Sequence, residues 1–293
     1  MDRLLALLAL LLASIIWGGT FVIVGDAVRD LPVFHLLACR FGLAALCLAP
    51  LVRRGPTGLG FGEVLRDRGA WYLGVALFAS FAFQTAGLVS TTPSRSAFLT
   101  ALCVLFVPLL RWLWTREAIT REVGLGLLLV MIGQVLLYSR GLGAASFGWG
   151  DLLSLLCAIA FAIYILLAER FARPGRSVAL TFVQSLVVAL LAAPSLLFQP
   201  PTVAEFTPTA IGAILFTGIL ASGVAFWCQL FAQQRLSAVE TALVLTLEPV
   251  LASGFSIAVG REPLAASTVL GGSLLLSGVA LSQVRIWGPA GGE

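Results

Sequence analysis

Residues 4–24 read LLALLALLLASIIWGGTFVIV and contain no charged side chain. A helix of this length rises about 30 Å, at about 1.5 Å per residue, and so matches the hydrocarbon core of a bilayer. A secretory signal peptide has a shorter apolar stretch that ends at a cleavage site between small residues. Here the apolar run continues past Trp17 to Val24 without such a site. The stretch therefore predicts a first transmembrane helix.

The same apolar character extends over the whole chain. Hydrophobic residues make up 59% and charged residues 11% of the 293 positions, and the mean hydropathy is +1.03. These values lie outside the range of soluble globular domains. The length accommodates about ten spans of roughly 20 residues and leaves no segment for a separate soluble domain. We therefore predict an all-α integral membrane protein with ten transmembrane helices, at residues 4–24, 32–52, 70–90, 93–114, 121–139, 149–168, 177–197, 209–232, 238–259 and 264–284.

Helix-start signals support several of these boundaries. Thr92 precedes Pro93 and Thr207 precedes Pro208, a pattern typical of an N-cap followed by a proline in the first turn. The sequence SAVE at 237–240 has the form of a capping box. Asp151 is expected to cap the sixth helix in a related way.

The arginines predict the orientation of the chain in the membrane. The chain has 18 basic residues and no lysine. By the positive-inside rule, the side richer in arginine faces the cytoplasm, which places both termini there. The net charge of +4 is therefore a topology signal and does not indicate a nucleic-acid partner. Twelve arginines lie on the cytoplasmic side, at positions 3, 53, 54, 66, 68, 116, 121, 170, 173, 176, 235 and 285, and four lie on the other, at 29, 95, 140 and 261.

An internal repeat divides the chain into residues 1–143 and 144–293. Each part holds five predicted spans, an odd number, so the second repeat must be inverted relative to the first. Inverted repeats recur in secondary transporters, in which the substrate site lies near mid-membrane and one half rocks against the other. A shift of 145 residues superimposes, without a gap, Gln84 on Gln229, Ala97 on Ala242, Leu102 on Leu247, Arg116-Glu117 on Arg261-Glu262, Gly126 on Gly271 and Gly133 on Gly278.

Five segments together resemble the EamA family of the drug/metabolite transporter superfamily. They are SIIWGGTFV, ACRFGLAALCLAP, WGDLLSLLCAIAFAIYILLAERFA, SAVETALVLTLEPVLASGFSIAVGREPL and LGGSLLLSGVALSQV, and they cover nearly the whole chain in order. The resemblance implies a ten-helix 5+5 carrier of the bacterial inner membrane. It also implies export of amino acids or related metabolites, with aromatic amino acids among the substrates.

The sequence departs from internal symmetry at its prolines. Pro249 has no counterpart at the repeat-equivalent Val104, and the first repeat has Pro108 four residues later. We predict Pro249 and Pro108 as hinges and, because their positions differ, we predict kinks that are not symmetric.

Arg40 and Glu248 are the clearest candidates for binding substrate. An ionisable group at the centre of a spanning helix costs roughly 2.5–3.5 kcal/mol on translocon scales, so each needs compensation. Arg40 lies roughly 12 Å and Glu248 roughly 16 Å from the outer membrane surface. They could pair with each other, or bind the carboxylate and the ammonium of an amino acid. A structural role is equally open, with Arg40 on helix carbonyls and Glu248 on backbone groups freed by Pro249.

Aromatic and amide side chains at intermediate depth complete the predicted substrate pocket. Such a mixture suits a small amphipathic solute. For the two glutamines, hydrogen bonding between helices is the alternative. For the tryptophans, the alternative is core packing or a place in the interfacial belt. The residues are Trp17, Thr20, Gln84, Tyr164, Trp227 and Gln229.

Several enzyme classes do not fit the sequence. A Walker A motif requires lysine, and neither HExxH nor GxSxG is present. The sequence GWGD at 148–151 matches a pattern of intramembrane aspartyl proteases, but the other aspartates fall in predicted tails or loops. The cysteines show no CxxC or metal spacing and are expected to pack as small apolar residues. We therefore predict no enzyme activity, no cofactor and no metal. The cysteines are Cys39, Cys47, Cys103, Cys157 and Cys228.

The sequence thus predicts a secondary transporter that exports amino acids or related small metabolites. A flippase for lipids or lipid-linked substrates is the alternative, although only Arg40 and Arg95 are placed to bind a head group. An intramembrane enzyme is the remaining alternative. Glycines in the fifth and tenth helices predict close packing within a monomer, with a dimer interface as the other option. These glycines are Gly124, Gly126, Gly133, Gly271, Gly272 and Gly278.

Overall fold

The computed structural model describes residues 3–27, 31–54, 61–91, 93–116, 120–139, 147–202, 205–260 and 264–283. These residues form helices and turns, without a strand. In this part of the chain nine segments are long and apolar enough to cross a membrane, so the protein is a multi-pass membrane protein. The tenth predicted span coincides with a shorter apolar helix, Ala266–Ser282. The nine are Arg3–Thr20, Phe34–Arg53, Arg68–Leu88, Arg95–Thr115, Arg121–Tyr138, Trp149–Phe171, Ser177–Phe198, Pro208–Ala232 and Ala238–Ala258.

Several predicted spans consist of more than one helix. The first repeat contains α1 (Arg3–Ala27), α2 (Val33–Arg54), α3 (Phe61–Leu65), α4 (Arg68–Leu88), α5 (Pro93–Ala101), α6 (Cys103–Thr115) and α7 (Arg121–Tyr138). The second contains α8 (Trp149–Phe171), α9 (Ser177–Ala192), α10 (Pro194–Phe198), α11 (Pro208–Leu215), a π-helical segment (Phe216–Val224), α12 (Ala225–Ala232), α13 (Ala238–Leu245), α14 (Glu248–Ala258) and α15 (Ala266–Gln283).

The helices pack in pairs that the internal repeat relates to each other. Helix α4 packs on α8, and the repeat-related α12 packs on α1. Helices α2 and α9, which the repeat exchanges, pack together, as do α7 and α15. We group the helices into two bundles that the contact between α2 and α9 joins: bundle A contains α1, α2, α11 to α12, α13 and α14, and bundle B contains α4, α5, α6, α8 and α9. Each bundle therefore combines helices from both repeats.

The predicted helix-start signals are confirmed where the structure describes them. The Thr207 hydroxyl accepts a hydrogen bond from the Ala210 amide at 3.1 Å. Ser237 and Glu240 form the expected capping box, in which the Ser237 amide donates to the Glu240 carboxylate at 2.7 Å. The Asp151 carboxylate accepts from the Gly148 amide at 2.8 Å and so caps α8. Thr92 lies outside the described residues.

Asp151 also joins α8 to α5. Its carboxylate lies 2.9 Å from Arg95 Nε and accepts a hydrogen bond from the Thr91 hydroxyl at 2.7 Å. The side chain is only 4% exposed. These contacts give Asp151 a structural role as a helix cap and ion-pair partner. None of them involves the second aspartate that protease chemistry would need.

We predict that Asp151→Asn destabilises the protein. A hydrogen bond to a charged group contributes about 1.5–3 kcal/mol, so the loss of the carboxylate charge beside Arg95 should lower the free energy of unfolding by about that amount. Thermal unfolding of the purified protein in detergent measures the effect. The control Thr91→Val removes a single donor to the same carboxylate and leaves its charge and its contact with Arg95, so it should cost less than Asp151→Asn. Equal midpoints for Asp151→Asn and the wild type would contradict the prediction.

Four of the six predicted glycines, Gly126, Gly133, Gly271 and Gly278, hold α7 and α15 in close contact, which confirms for these four that they pack within the molecule. A Cβ atom added to Gly126 would lie 2.7 Å from the carbonyl oxygen of Gly278. One added to Gly133 would lie 2.7 Å from the carbonyl oxygen of Gly271. The two approaches are related by the repeat, because Gly126 corresponds to Gly271 and Gly133 to Gly278.

The predicted asymmetry of the helix kinks is wrong. The fourth span breaks at Leu102, between α5 and α6, and the ninth breaks at Thr246 and Leu247, between α13 and α14. Leu102 and Leu247 are repeat-equivalent. Pro249 lies in the first turn of α14, where its missing amide costs no hydrogen bond, whereas Pro108 lies inside α6, away from the break. The break therefore belongs to the repeat architecture and does not require a proline.

Candidate substrate site

Glu248 begins α14 directly after the helix break. Within the described part of the chain its carboxylate has no hydrogen bond and no ion pair, although the residue is partly buried. Helix α1 crosses beside it, because a Cβ atom on Gly18 would lie 3.3 Å from the Glu248 carbonyl oxygen. Glu248 is also close enough to Cys103 and Tyr138 for its charge to act on both groups. Cys103 is its repeat-equivalent, so the two residues that follow the breaks lie near each other.

Arg40 is held by α2 against the π-helical segment. Its Nε donates to the Ser222 hydroxyl at 2.9 Å, and the residue is 8% exposed. Its Cζ lies 5.1 Å from the ring centroid of Phe41 and 5.4 Å from that of Phe81. Such contacts of a guanidinium with aromatic faces are favourable in a desolvated site. The π-helix allows this approach because Gly218 lies against the Arg40 backbone, where a Cβ atom would be 3.0 Å from its carbonyl oxygen.

Arg40 and Glu248 do not form an ion pair with each other in the described structure. Arg40 is held by the Ser222 hydroxyl and two aromatic rings, the Glu248 carboxylate has no hydrogen bond among the described residues, and neither has a partner of opposite charge there. Of the predicted arrangements, direct pairing is therefore not the one observed. A bound solute with both charges would compensate the two residues at once.

An aromatic cluster connects the surroundings of Arg40 and Glu248. Trp17, next to Gly18 on α1, donates from Nε1 to the Ala221 carbonyl oxygen at 3.0 Å. Its ring lies 5.0 Å from that of Phe226, which in turn lies 6.1 Å from Phe41. Phe41 contacts Phe81 at 5.5 Å. The cluster thus runs from the helix that crosses beside Glu248 to the rings that flank Arg40.

The other predicted residues divide into two groups. Tyr164 contacts the cluster through Phe226, with ring centroids 5.8 Å apart. Trp227 instead stacks on Phe231 of its own helix at 5.4 Å. The Thr20 hydroxyl donates to the Trp17 carbonyl oxygen at 2.6 Å, within α1. The structure therefore brings Trp17, Arg40 and Tyr164 together and engages Thr20 and Trp227 within their own helices.

The two glutamines have different surroundings. Gln229 is fully buried, and its Nε2 donates to Gln233 Oε1 at 3.2 Å. Gln84, its repeat-equivalent, is only partly buried and forms no hydrogen bond within the described residues.

Sequence reasoning missed several residues of the site. Ser222 carries no local signal, because its role depends on a contact with Arg40, which is distant in the sequence. Phe81 and Phe226 could have been found, because they are repeat-equivalent and each precedes a predicted glutamine by three residues. Gln184 was also missed; its Oε1 accepts from the Tyr164 hydroxyl at 3.2 Å.

The interior is more tightly packed on one side of the membrane than on the other. We call the side on which α1 begins the inner side, which the arginines predict to be cytoplasmic, and the opposite side the outer side. Residues 241–247, on the inner side, are all buried, whereas of the repeat-equivalent residues 96–102 on the outer side only Ser96 is buried. Helices α13 and α6 pack together on the inner side, and no comparable contact joins α5 and α14 among the described residues. The inner side is therefore closed, and the surroundings of Glu248 are more open toward the outer side.

Comparisons with known proteins agree with this architecture. An uncharacterized transporter of Archaeoglobus fulgidus is 31% identical over 284 residues, which cover 97% of this chain and 87% of that protein. The uncharacterized transporter YyaM of Bacillus subtilis is 27% identical over 286 residues, covering 93% and 92%. A protein of known crystal structure, 22% identical, superimposes with a TM-score of 0.82 over 98% of this chain and 100% of its own, which shows a shared fold. The sequence profile of the EamA-like transporter family matches twice, at residues 4–139 and 148–283. The chain therefore belongs to the EamA-like transporter family.

Proposed function

We propose that this transporter is a secondary carrier that exports amino acids or related small metabolites, aromatic amino acids included. One observation carries the proposal: Arg40 lies at an aromatic cluster whose Trp17 belongs to the helix that crosses beside Glu248, and the two residues carry opposite charges without being paired with each other. A zwitterion supplies one carboxylate and one ammonium, which are the groups that these two residues would bind. A carrier of this kind has no need of catalysis or of a cofactor.

The chemistry of the cluster fits such a substrate. The planar guanidinium of Arg40 can bind a carboxylate with two hydrogen bonds, and its Nε contact with Ser222 fixes the orientation of the plane. The rings of Trp17, Phe41 and Phe226, which are buried in this state, would provide an apolar surface for a hydrophobic side chain of the substrate once the bundles move apart. Glu248 supplies the counter-charge for the ammonium.

Alternating access would follow from rocking bundle A against bundle B. Four ion pairs support this division, because each joins two helices of one bundle or the N-cap residues of two such helices. In the state described, the two bundles pack together along α2 and α9, and α13 contacts α6 on the inner side. The opposite state would separate α13 from α6 and bring α5 to α14. The pairs are Arg3–Glu240 within bundle A, and Arg95–Asp151, Arg111–Glu169 and Arg176–Asp67 within bundle B.

We place the carrier in the bacterial plasma membrane as a monomer with both termini in the cytoplasm. The distribution of arginines supports this orientation. The glycine contacts between α7 and α15 support the monomer, because they bury within one chain the surface that a dimer interface would otherwise use.

We predict that the purified protein in proteoliposomes moves at least one labelled amino acid across the membrane. The panel should include aromatic, aliphatic, acidic and basic amino acids, with protein-free liposomes as the control. Transport of an aromatic member, and competition by its unlabelled form, is the expected result. No transport of any member would overturn the proposal, and movement of a fluorescent phospholipid instead would favour the flippase.

A further inference from the structure

The repeat places the same pair of side chains, a phenylalanine and a glutamine three residues apart, on both sides of the membrane. Phe81 and Gln84 lie on α4 in the outer half, and Phe226 and Gln229 lie on α12 in the inner half. The outer pair is partly buried, whereas Phe226 is 2% and Gln229 is 0% exposed. Equivalent residues thus have unequal surroundings, as expected when one side of an inverted repeat is closed and the other is open.

Two buried polar pairs, Tyr164 with Gln184 and Gln229 with Gln233, meet at the same part of α8, and we call these four residues the inner polar cluster. The Gln233 Nε2 donates to the Ile165 carbonyl oxygen at 2.9 Å. Its Oε1 must then face Gln229 and accepts from Gln229 Nε2 at 3.2 Å. This chain of bonds fixes the orientation of both amides and leaves Gln229 Oε1 buried without a donor.

Gln184 contributes the complementary group. Its Oε1 accepts from the Tyr164 hydroxyl at 3.2 Å, and its Nε2 is buried without an acceptor. The inner polar cluster therefore has one unmet acceptor and one unmet donor, although buried polar groups are nearly always hydrogen-bonded. Its position adjoins the substrate site, because the Phe226 ring contacts Tyr164 on one side and Trp17 and Phe41 on the other.

We propose that the inner polar cluster is a second substrate site, closed in this state and filled when the inner side opens. It would take a zwitterionic amino acid without using a protein charge: Gln229 Oε1 accepts from the ammonium, and Gln184 Nε2 donates to the carboxylate. Phe226 separates this site from Arg40 and would have to move as the substrate passes. The inference rests on the proposed carrier function, and it assigns the site at which an exported substrate enters from the inner side.

Cysteine accessibility tests the proposal. The five native cysteines are first replaced by alanine or serine, and Gln84→Cys and Gln229→Cys are introduced singly. A membrane-impermeant methanethiosulfonate reagent is then added to one side of oriented proteoliposomes. We expect Gln84→Cys to react from the outer side, and Gln229→Cys to react only from the inner side, faster when substrate drives turnover.

The controls separate this inference from the proposed function. The native Cys228, restored as the single cysteine, is 1% exposed on the same helix and should react from neither side. If Gln229→Cys does not fold, Gln184→Cys reports on the same site from α9. Protein that transports amino acids while neither position reacts from the inner side would overturn the inner site alone. Protein that transports none would overturn the proposed function.

Discussion

Replacing Glu248 by glutamine is expected to reduce transport of a zwitterionic substrate by about ten- to a hundredfold. Hydrogen bonds to charged groups contribute about 1.5–3 kcal/mol, and each 1.4 kcal/mol corresponds to about a factor of ten. Glutamine keeps the size of the side chain but removes the charge that an ammonium would pair with. Initial rates of uptake into proteoliposomes, measured over a range of substrate concentrations, give the change in kcat/KM.

A matched control comes from a carboxylate outside the substrate site. Glu169 on α8 lies 2.7 Å from Arg111, and its side chain is 28% exposed. Partly exposed ion pairs of this kind contribute about 0–1 kcal/mol, so Glu169→Gln should leave kcat/KM within about a factor of two. If Glu248→Gln transports as well as Glu169→Gln, Glu248 does not bind substrate. Its role would then be to stabilise the break between α13 and α14.

The positions of nine spans could be predicted from the sequence because the bilayer requires a minimum length of apolar helix. The sixth span, expected at 149–168, is the helix Trp149–Phe171. The break at Leu102 could not be predicted, because no proline or glycine marks it. The π-helical segment Phe216–Val224 could not be predicted either, because glycines such as its Gly218 and Gly223 are also frequent in regular spanning helices. Local hydropathy shows whether a segment is apolar. It does not show whether the backbone hydrogen bonds follow the α-helical pattern or shift by one residue to the π-helical pattern.

The site was predictable only in part. Arg40, Glu248 and Tyr164 stood out because polar groups in a membrane need compensation. The partners of these residues did not stand out. A spanning helix is apolar on most of its faces, so the periodicity of its apolar residues does not show which face packs inward. The contact between Arg40 and Ser222 depends on the packing of α2 against the π-helical segment. Only the repeat carries such long-range information, and it relates Phe81 to Phe226 and Gln84 to Gln229.

A large effect on stability is expected at Gly126, in the contact between α7 and α15. Alanine is favoured over glycine in a helix by up to about 1 kcal/mol, so Gly126→Ala would stabilise an isolated helix. In the protein the added methyl group would lie 2.7 Å from the Gly278 carbonyl oxygen and 3.2 Å from Ser282 Cβ. Overpacking of this kind costs about 1–3 kcal/mol, and a backbone oxygen cannot move aside as a side chain can.

Gly124→Ala is the matched control for Gly126→Ala, because it makes the same substitution on the same helix. A Cβ atom at Gly124 has no neighbour within 4 Å, so only the gain in helix propensity applies. Thermal unfolding in detergent should therefore give the order Gly124→Ala, wild type, Gly126→Ala from highest to lowest midpoint. Gly271 is the repeat-equivalent position, and a Cβ atom there would lie 2.7 Å from the Gly133 carbonyl oxygen. Gly271→Ala should therefore be destabilised like Gly126→Ala. A midpoint for Gly126→Ala at or above that of Gly124→Ala would show that α7 and α15 do not approach this closely.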